Sequence, residues 1–128
     1  DARQVLAAAA AAPAVPFAEV EARLLARSRP PTLEEISPYR QALVVEEWEV
    51  VRALAGVPVA GRIRVARWSL LDGAPTREVA EAPGTLRRLR LEPHSAQPQL
   101  ESVVLSDTLP ARPAGGPPLG FDVGWSGG

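Results

Sequence analysis

Two neighbouring stretches decide the fold, ALVVEEWEVVRALA at residues 42–55 and RIRVARWSLL at residues 62–71. β-Branched and aromatic residues are frequent in both, and neither contains Gly or Pro, which is typical of strands. A helix is the competing interpretation of the first stretch because Glu is a good helix former, but its four valines would lose side-chain freedom in a helix. Gly56 and Gly61 bound the turn between the stretches, so the sequence predicts a long antiparallel hairpin.

Further strand patterns follow the hairpin. A third strand is expected over 76–80 or over 85–91, and a fourth over 100–106. The fold class is therefore mainly β, as a small antiparallel β-barrel or sandwich, with an OB-like barrel as one form. A closed barrel suits a chain with few strands because closure removes open edges. This β-domain is assigned to residues 32–109, and it begins with a capping box that predicts a short helical turn after Thr32.

Residues 1–31 are interpreted as a helical segment and linker. The alanine run from Ala2 to Ala12 predicts a short helix that Pro13 ends. Beyond Pro16, apolar residues recur at helical spacing, which predicts a helix over 17–28. The apolar positions are Phe17, Val20, Leu24 and Leu25. This apolar stripe requires a covering surface, either the domain's own sheet or a partner protein.

Residues 110–128 are predicted to form an extended Pro/Gly-rich C-terminal tail. The tail carries Phe121 and Trp125, and aromatic side chains at a chain end reduce solubility unless something buries them. We therefore predict a partner-binding set made of Phe17, Leu24, Phe121 and Trp125.

The charges are segregated along a chain whose net charge is −1. Residues 62–90 hold seven Arg against three acidic residues, whereas residues 32–54 hold five Glu against two Arg. One interpretation is ion pairing across adjacent strands, with Glu46, Glu47 and Glu49 facing the arginine-rich strand. The alternative is an arginine-lined docking face for an acidic partner. All basic residues are Arg, which together with the many Ala and Pro indicates a high-GC bacterium.

The sequence offers no convincing catalytic, cofactor or metal site. There is no Cys, which excludes disulfides, thiolate metal sites and cysteine nucleophiles. His94 is the one histidine and lies in a segment flanked by proline, so a solvated loop residue is expected. Glu46 and Glu47 are adjacent on a predicted strand and point to opposite faces, so they cannot act as an opposed carboxylate pair. We expect a protein that is not an enzyme.

A ligand-binding alternative uses the aromatic residues of the hairpin. With the turn centred near residues 58–59, Trp48 would face about residue 69 and lie close to Trp68. An exposed Trp48–Trp68 platform flanked by Arg62 and Arg64 would suit sugar rings; burial of both tryptophans in the core is the other interpretation. A third hypothesis, a nucleic-acid binder using Arg62, Arg64, Arg87 and Arg88, is disfavoured by the acidic net charge, so no nucleic-acid partner is expected.

No apolar run reaches 18 residues, so the sequence predicts no membrane span. The chain begins at Asp1 without Met, and an alanine-rich segment follows. We interpret this start as that of an exported protein after signal-peptide removal, which predicts a periplasmic or extracellular location.

The sequence of residues 38–71, with its strand–hairpin–strand pattern, resembles a known family of modules. Together with Leu91-Glu92-Pro93 and the Pro-Gln-Leu-Glu stretch at 98–101, it resembles a small exported β-barrel module of bacterial envelope proteins. Such modules are associated with polysaccharide-modifying systems of the SGNH-hydrolase and acyltransferase type. The resemblance spans roughly 38–106 and brings no catalytic residues, so it implies an accessory domain.

The predicted function is therefore a non-catalytic exported accessory or structural subunit. It would dock on a larger protein assembly through its termini and its charge-segregated sheet. The alternative function is a carbohydrate-binding module that uses Trp48 and Trp68.

Overall fold

The computed structural model describes residues 15–112 and 116–124. The mainly β class predicted from the sequence is confirmed. The elements are β1 (Ala18–Arg27), α1 (Leu33–Ile36), β2 (Ala42–Gly56), β3 (Gly61–Leu71), β4 (Ala74–Pro75), β5 (Leu86–Pro93), β6 (Val104–Ser106) and β7 (Gly120–Asp122). Short 3₁₀ turns lie at Glu78–Ala80, His94–Ala96 and Pro98–Leu100.

Within the described residues, five strands close into a barrel in the order β1-β2-β3-β7-β5 and back to β1. The pairing of β3 with β7 is parallel, and the other neighbours in the barrel are antiparallel. β4 pairs with the end of β3, and β6 adds in parallel to the start of β2, so both lie outside the closed ring. Of the barrel and the sandwich predicted from the sequence, the barrel is confirmed. The prediction of a purely antiparallel sheet is wrong, because β3 and β7 are parallel.

The predicted hairpin is confirmed as β2 and β3, but its register differs from the prediction. Trp48 pairs with Ile63, and the last β2–β3 pair joins Val50 to Gly61. β2 continues to Gly56 because its final residues pair with β1 on the other edge. The turn is therefore not centred on residues 58–59, and the predicted pairing of Trp48 with residue 69 is wrong.

The helix predicted over 17–28 is wrong, because Ala18–Arg27 forms the strand β1. Alternate residues of β1 are buried, namely Ala18, Val20, Ala22 and Leu24. The alanines contribute little to a hydrophobic pattern read from sequence, and the larger apolar residues also satisfy helical spacing. Pairing with β2 on one edge and β5 on the other decides the conformation. The helix predicted over Ala2 to Ala12 lies outside the described residues.

The C-terminal prediction also needs correction. Residues 110–128 were expected to form a tail outside the core, but Gly120–Asp122 is the strand β7 that closes the barrel. The third predicted strand corresponds to β5, while residues 78–80 form a 3₁₀ turn. In the fourth predicted strand, only Val104–Ser106 is extended with strand pairing.

The capping box at α1 forms as predicted. The Thr32 hydroxyl accepts a hydrogen bond from the Glu35 backbone N–H, and the Glu35 carboxylate accepts one from the Thr32 backbone N–H. Arg29 binds the same carboxylate at 2.7 Å, and these bonds lower the pKa of Glu35 to about 2.

Buried side chains form separate layers inside and outside the barrel. The interior cluster is Ala18, Val20, Ala22, Leu24, Trp48, Ile63, Val65, Leu89 and Leu91. The outer cluster lies on the other face of β2, β3 and β7 and consists of Leu43, Ala66, Leu100 and Phe121, with Trp68, Val103 and Leu119 packed against it. The connection from β5 to β7 supplies Leu100, Val103 and Leu119, so it covers this outer face. Both faces of the central hairpin are therefore largely buried over residues 42–48 of β2 and 63–70 of β3, whereas the end of β2 and the start of β3 are exposed.

Candidate functional site

The barrel has two ends with different chemistry. At the end called lower here, β1, β3 and β7 begin and β2 and β5 end. This lower end carries a cleft of about 410 Å³. Its walls are residues 16–18, 57–60 and 117–120, and residues 63–64 and 91–93 complete the lining. We call it the apolar cleft because its lining residues are mostly aliphatic side chains, prolines and Phe17.

Prolines set the shape of the apolar cleft. Those on its walls, among the described residues, are Pro16, Pro58, Pro93, Pro117 and Pro118. Each fixes its own φ angle and lacks a backbone N–H, so the walls are stiff and poor in hydrogen-bond donors. Gly56, with φ of 79°, brings the end of β2 against the Phe17 carbonyl, where a Cβ would collide. The next residue, Val57, donates its N–H to that carbonyl at 2.7 Å.

Phe17 is held in place at the rim of the apolar cleft. The guanidinium carbon of Arg90 lies 4.0 Å from the centroid of its ring, which is cation–π geometry. Arg90 in turn binds Glu19 at 3.2 Å, so neighbouring strands fix the position of the arginine. The half-buried Phe17 ring is thus an ordered aromatic surface beside the cleft.

The two charged residues of the described cleft lining each have a hydrogen-bond partner within the chain. The Arg64 side chain, 8% exposed, donates to Glu47 at 3.0 Å and to the Pro110 carbonyl at 2.7 Å. Glu92 accepts a hydrogen bond from the Gln97 side chain at 2.6 Å. The described lining of the cleft is therefore mostly apolar, with Arg64 ion-paired and Glu92 hydrogen-bonded to a neutral amide.

A buried ion cluster occupies the other end of the barrel interior. Arg67 lies 3.3 Å from Glu46, 2.9 Å from Glu81 and 3.2 Å from Asp122. Its guanidinium also lies over the Trp48 ring at 5.3 Å. Burial raises the pKa of Asp122, and hydrogen bonds from the Gly124 N–H and from Arg67 oppose that rise.

Glu46 is the most enclosed member of the buried ion cluster, with no exposed surface. It accepts from the Trp48 indole at 3.1 Å and from Arg27 at 2.6 Å, in addition to Arg67. Since its carboxylate is fully engaged, the cluster is best described as internal packing of paired charges. The pocket beside it, about 290 Å³, is lined by acidic and arginine side chains together.

The predicted glycan platform does not form. Trp48 points into the barrel with no exposed surface, whereas half-buried Trp68 packs in the outer cluster against Phe121, ring centroids 6.2 Å apart. The strand partners of Trp48 and Trp68 are Ile63 and Leu43. Leu43, the partner of Trp68, lies five positions before Trp48 on β2. Because successive residues of a strand point to opposite faces, an odd offset places the two tryptophans on opposite faces of the sheet. Of the flanking arginines, Arg62 is exposed and Arg64 is buried.

The predicted partner-binding residues are dispersed. Phe17 lies at the apolar cleft, but Leu24 is fully buried inside the barrel and Phe121 is 7% exposed in the outer cluster. Leu24 and Phe121 are therefore corrected to core residues. Trp125 lies outside the described residues.

Sequence reasoning missed most of the cleft. Residues 57–60 were interpreted as a turn because Gly56 and Gly61 bound them. Pro117 and Pro118 were interpreted as linker because the segment from Pro110 is rich in Pro and Gly. The available signal was the apolar content of these segments, Val57-Pro58-Val59 and Pro117-Pro118-Leu119, where an exposed loop would carry polar residues.

The segregated charges pair across strands. Five such contacts lie at 3.2–4.0 Å: Glu19 with Arg90, Glu21 with Arg52 and with Arg88, Arg23 with Glu49, and Arg62 with Glu47. The cross-strand interpretation is confirmed for these residues.

His94 begins a 3₁₀ turn, and its backbone N–H donates to the Leu119 carbonyl at 2.9 Å. Over residues 15–112 and 116–124, no group of three or more His, Cys, Asp and Glu side chains could hold a metal ion. In the same ranges, no helix has the length and apolar character needed to cross a membrane. Comparison with protein-family models, curated proteins and solved structures found no match to this chain.

Proposed function

We propose that this chain is a non-catalytic accessory module that docks on a partner protein through its apolar cleft. The apolar cleft itself carries this proposal, because an apolar concavity with stiff walls is the form that binding pockets usually take. Its volume of about 410 Å³ lies within the usual range of ligand pockets, roughly 300–1,000 Å³.

The surroundings of the cleft favour a protein partner over an anionic ligand. Arg64, the cation of the described lining, is ion-paired with Glu47, so an anionic ligand would be desolvated without gaining a free counter-charge. Val57, 47% exposed at the rim, adds apolar surface next to the cleft. Exposed apolar surface around a concavity is a common feature of protein interaction sites.

The strand order supports an OB-like barrel, and it also argues against the ligands that such barrels often take. OB-folds bind oligonucleotides and oligosaccharides on the face of their second and third strands. In this chain that face carries the outer cluster, covered by Leu100 and Val103 of the β5–β7 connection. The apolar cleft at the lower end of the barrel is more accessible than this covered face.

The resemblance of residues 38–106 to exported envelope modules extends the proposal to a location. A periplasmic or extracellular accessory subunit of a polysaccharide-modifying system fits a barrel without evident catalytic geometry. In this proposal the partner is another protein subunit of that assembly.

Selection from a random peptide library displayed on phage tests the docking function. We expect the wild-type chain to enrich apolar peptides. Val57→Asp places a charge at the rim of the cleft and should weaken binding of those peptides at least tenfold, because the charge would be desolvated on binding. Val51→Asp is the matched control, since Val51 is similarly exposed on β2 but does not line the cleft.

Two results would contradict the proposal. One is a selection that enriches no peptide over a blank surface. The other is a set of enriched peptides that bind the wild type and Val57→Asp equally well. Thermal unfolding of both variants shows whether each remains folded.

A further inference from the structure

We draw no further inference here: the strongest candidate, the edge of β2 that continues past its last pair with β3 at Val50 and Gly61 and is exposed over residues 51–53, is an open strand edge, and nothing in the described residues shows what covers it.

Discussion

Glu46 shows how one residue can hold a charged group inside the barrel. Its carboxylate has no exposed surface and is bonded to Trp48, Arg27 and Arg67. A buried carboxylate is tolerable only when its hydrogen-bonding capacity and its charge are both matched. Removing its charge would leave two neighbouring guanidinium groups short of a partner.

We expect Glu46→Gln to lower the free energy of unfolding by about 3–5 kcal/mol, because it breaks a buried ion pair. Urea unfolding followed by tryptophan fluorescence measures this change. Glu49→Gln is the matched control on the same strand, since Glu49 pairs with Arg23 at 3.6 Å with both side chains 45% exposed. That substitution should cost less than about 1 kcal/mol. Equal costs for the two variants would show that the buried ion cluster does not stabilise the barrel.

At the residue scale, the sequence predicted most of the ion pairs of the hairpin but not which face of the sheet each tryptophan occupies. Pairing of Glu46, Glu47 and Glu49 with the arginine strand was predicted. The contacts of Glu46 with Arg67 and of Glu47 with Arg64 confirm it for two of them, whereas Glu49 forms its ion pair with Arg23 of β1. The tryptophans were misplaced because the face of a strand residue depends on register. The register was set by the pairing of β1 with the end of β2, which the local sequence does not reveal.

At the scale of elements, the long strands were predictable and the short or alanine-containing ones were not. The hairpin has enough β-branched residues to exclude a helix. In β1 the alternation of buried residues is hard to detect, because Ala18 and Ala22 are two of the buried positions and alanine is weakly hydrophobic. β7 spans Gly120–Asp122, which is too short for a period to be detected. Both depend on pairing with strands distant in the sequence.

The role of β7 as a core strand leads to a prediction for Phe121. We expect Phe121→Ala to lower the free energy of unfolding by about 3–5 kcal/mol, because it opens a cavity in the outer cluster beside Trp68. Val123→Ala, at a position 37% exposed next to the same strand, should change stability by less than about 1 kcal/mol. Chemical denaturation provides the measurement. A loss below about 1 kcal/mol for Phe121→Ala would indicate that the segment after residue 110 behaves as a tail.

At the scale of the whole molecule, pairing of opposite charges leaves little reason for attraction to polyanions. Arg88 and Arg90 lie beside Glu21 and Glu19 across β1 and β5, and the net charge is −1.

The apolar cleft could not be predicted at this scale, because its walls come from three segments far apart in the chain. Phe17 was predicted as a partner-binding residue from its apolar character, but the cleft beside it was not.

Nucleic-acid binding therefore should be absent at physiological salt. We expect fluorescence anisotropy with a labelled oligothymidine to show no saturable binding up to about 100 µM protein. The double variant Glu19→Gln with Glu21→Gln is the positive comparison, because it removes the acidic partners of Arg90 and Arg88 and should increase binding at low salt. Binding by the wild type that is tighter than about 100 µM and falls steeply with added salt would contradict the expectation.

The place of β7 in the barrel has a consequence for synthesis on the ribosome. β7 joins β3 and β5, and it is made tens of residues after β3. Until Gly120–Asp122 has left the exit tunnel, β3 and β5 can pair with β2 and β1, but their edges that face β7 stay open. A nascent chain with such open edges can associate with its neighbours. The barrel can therefore close only after β7 has been synthesised. A chaperone that shields the open edges during translation would act before that point.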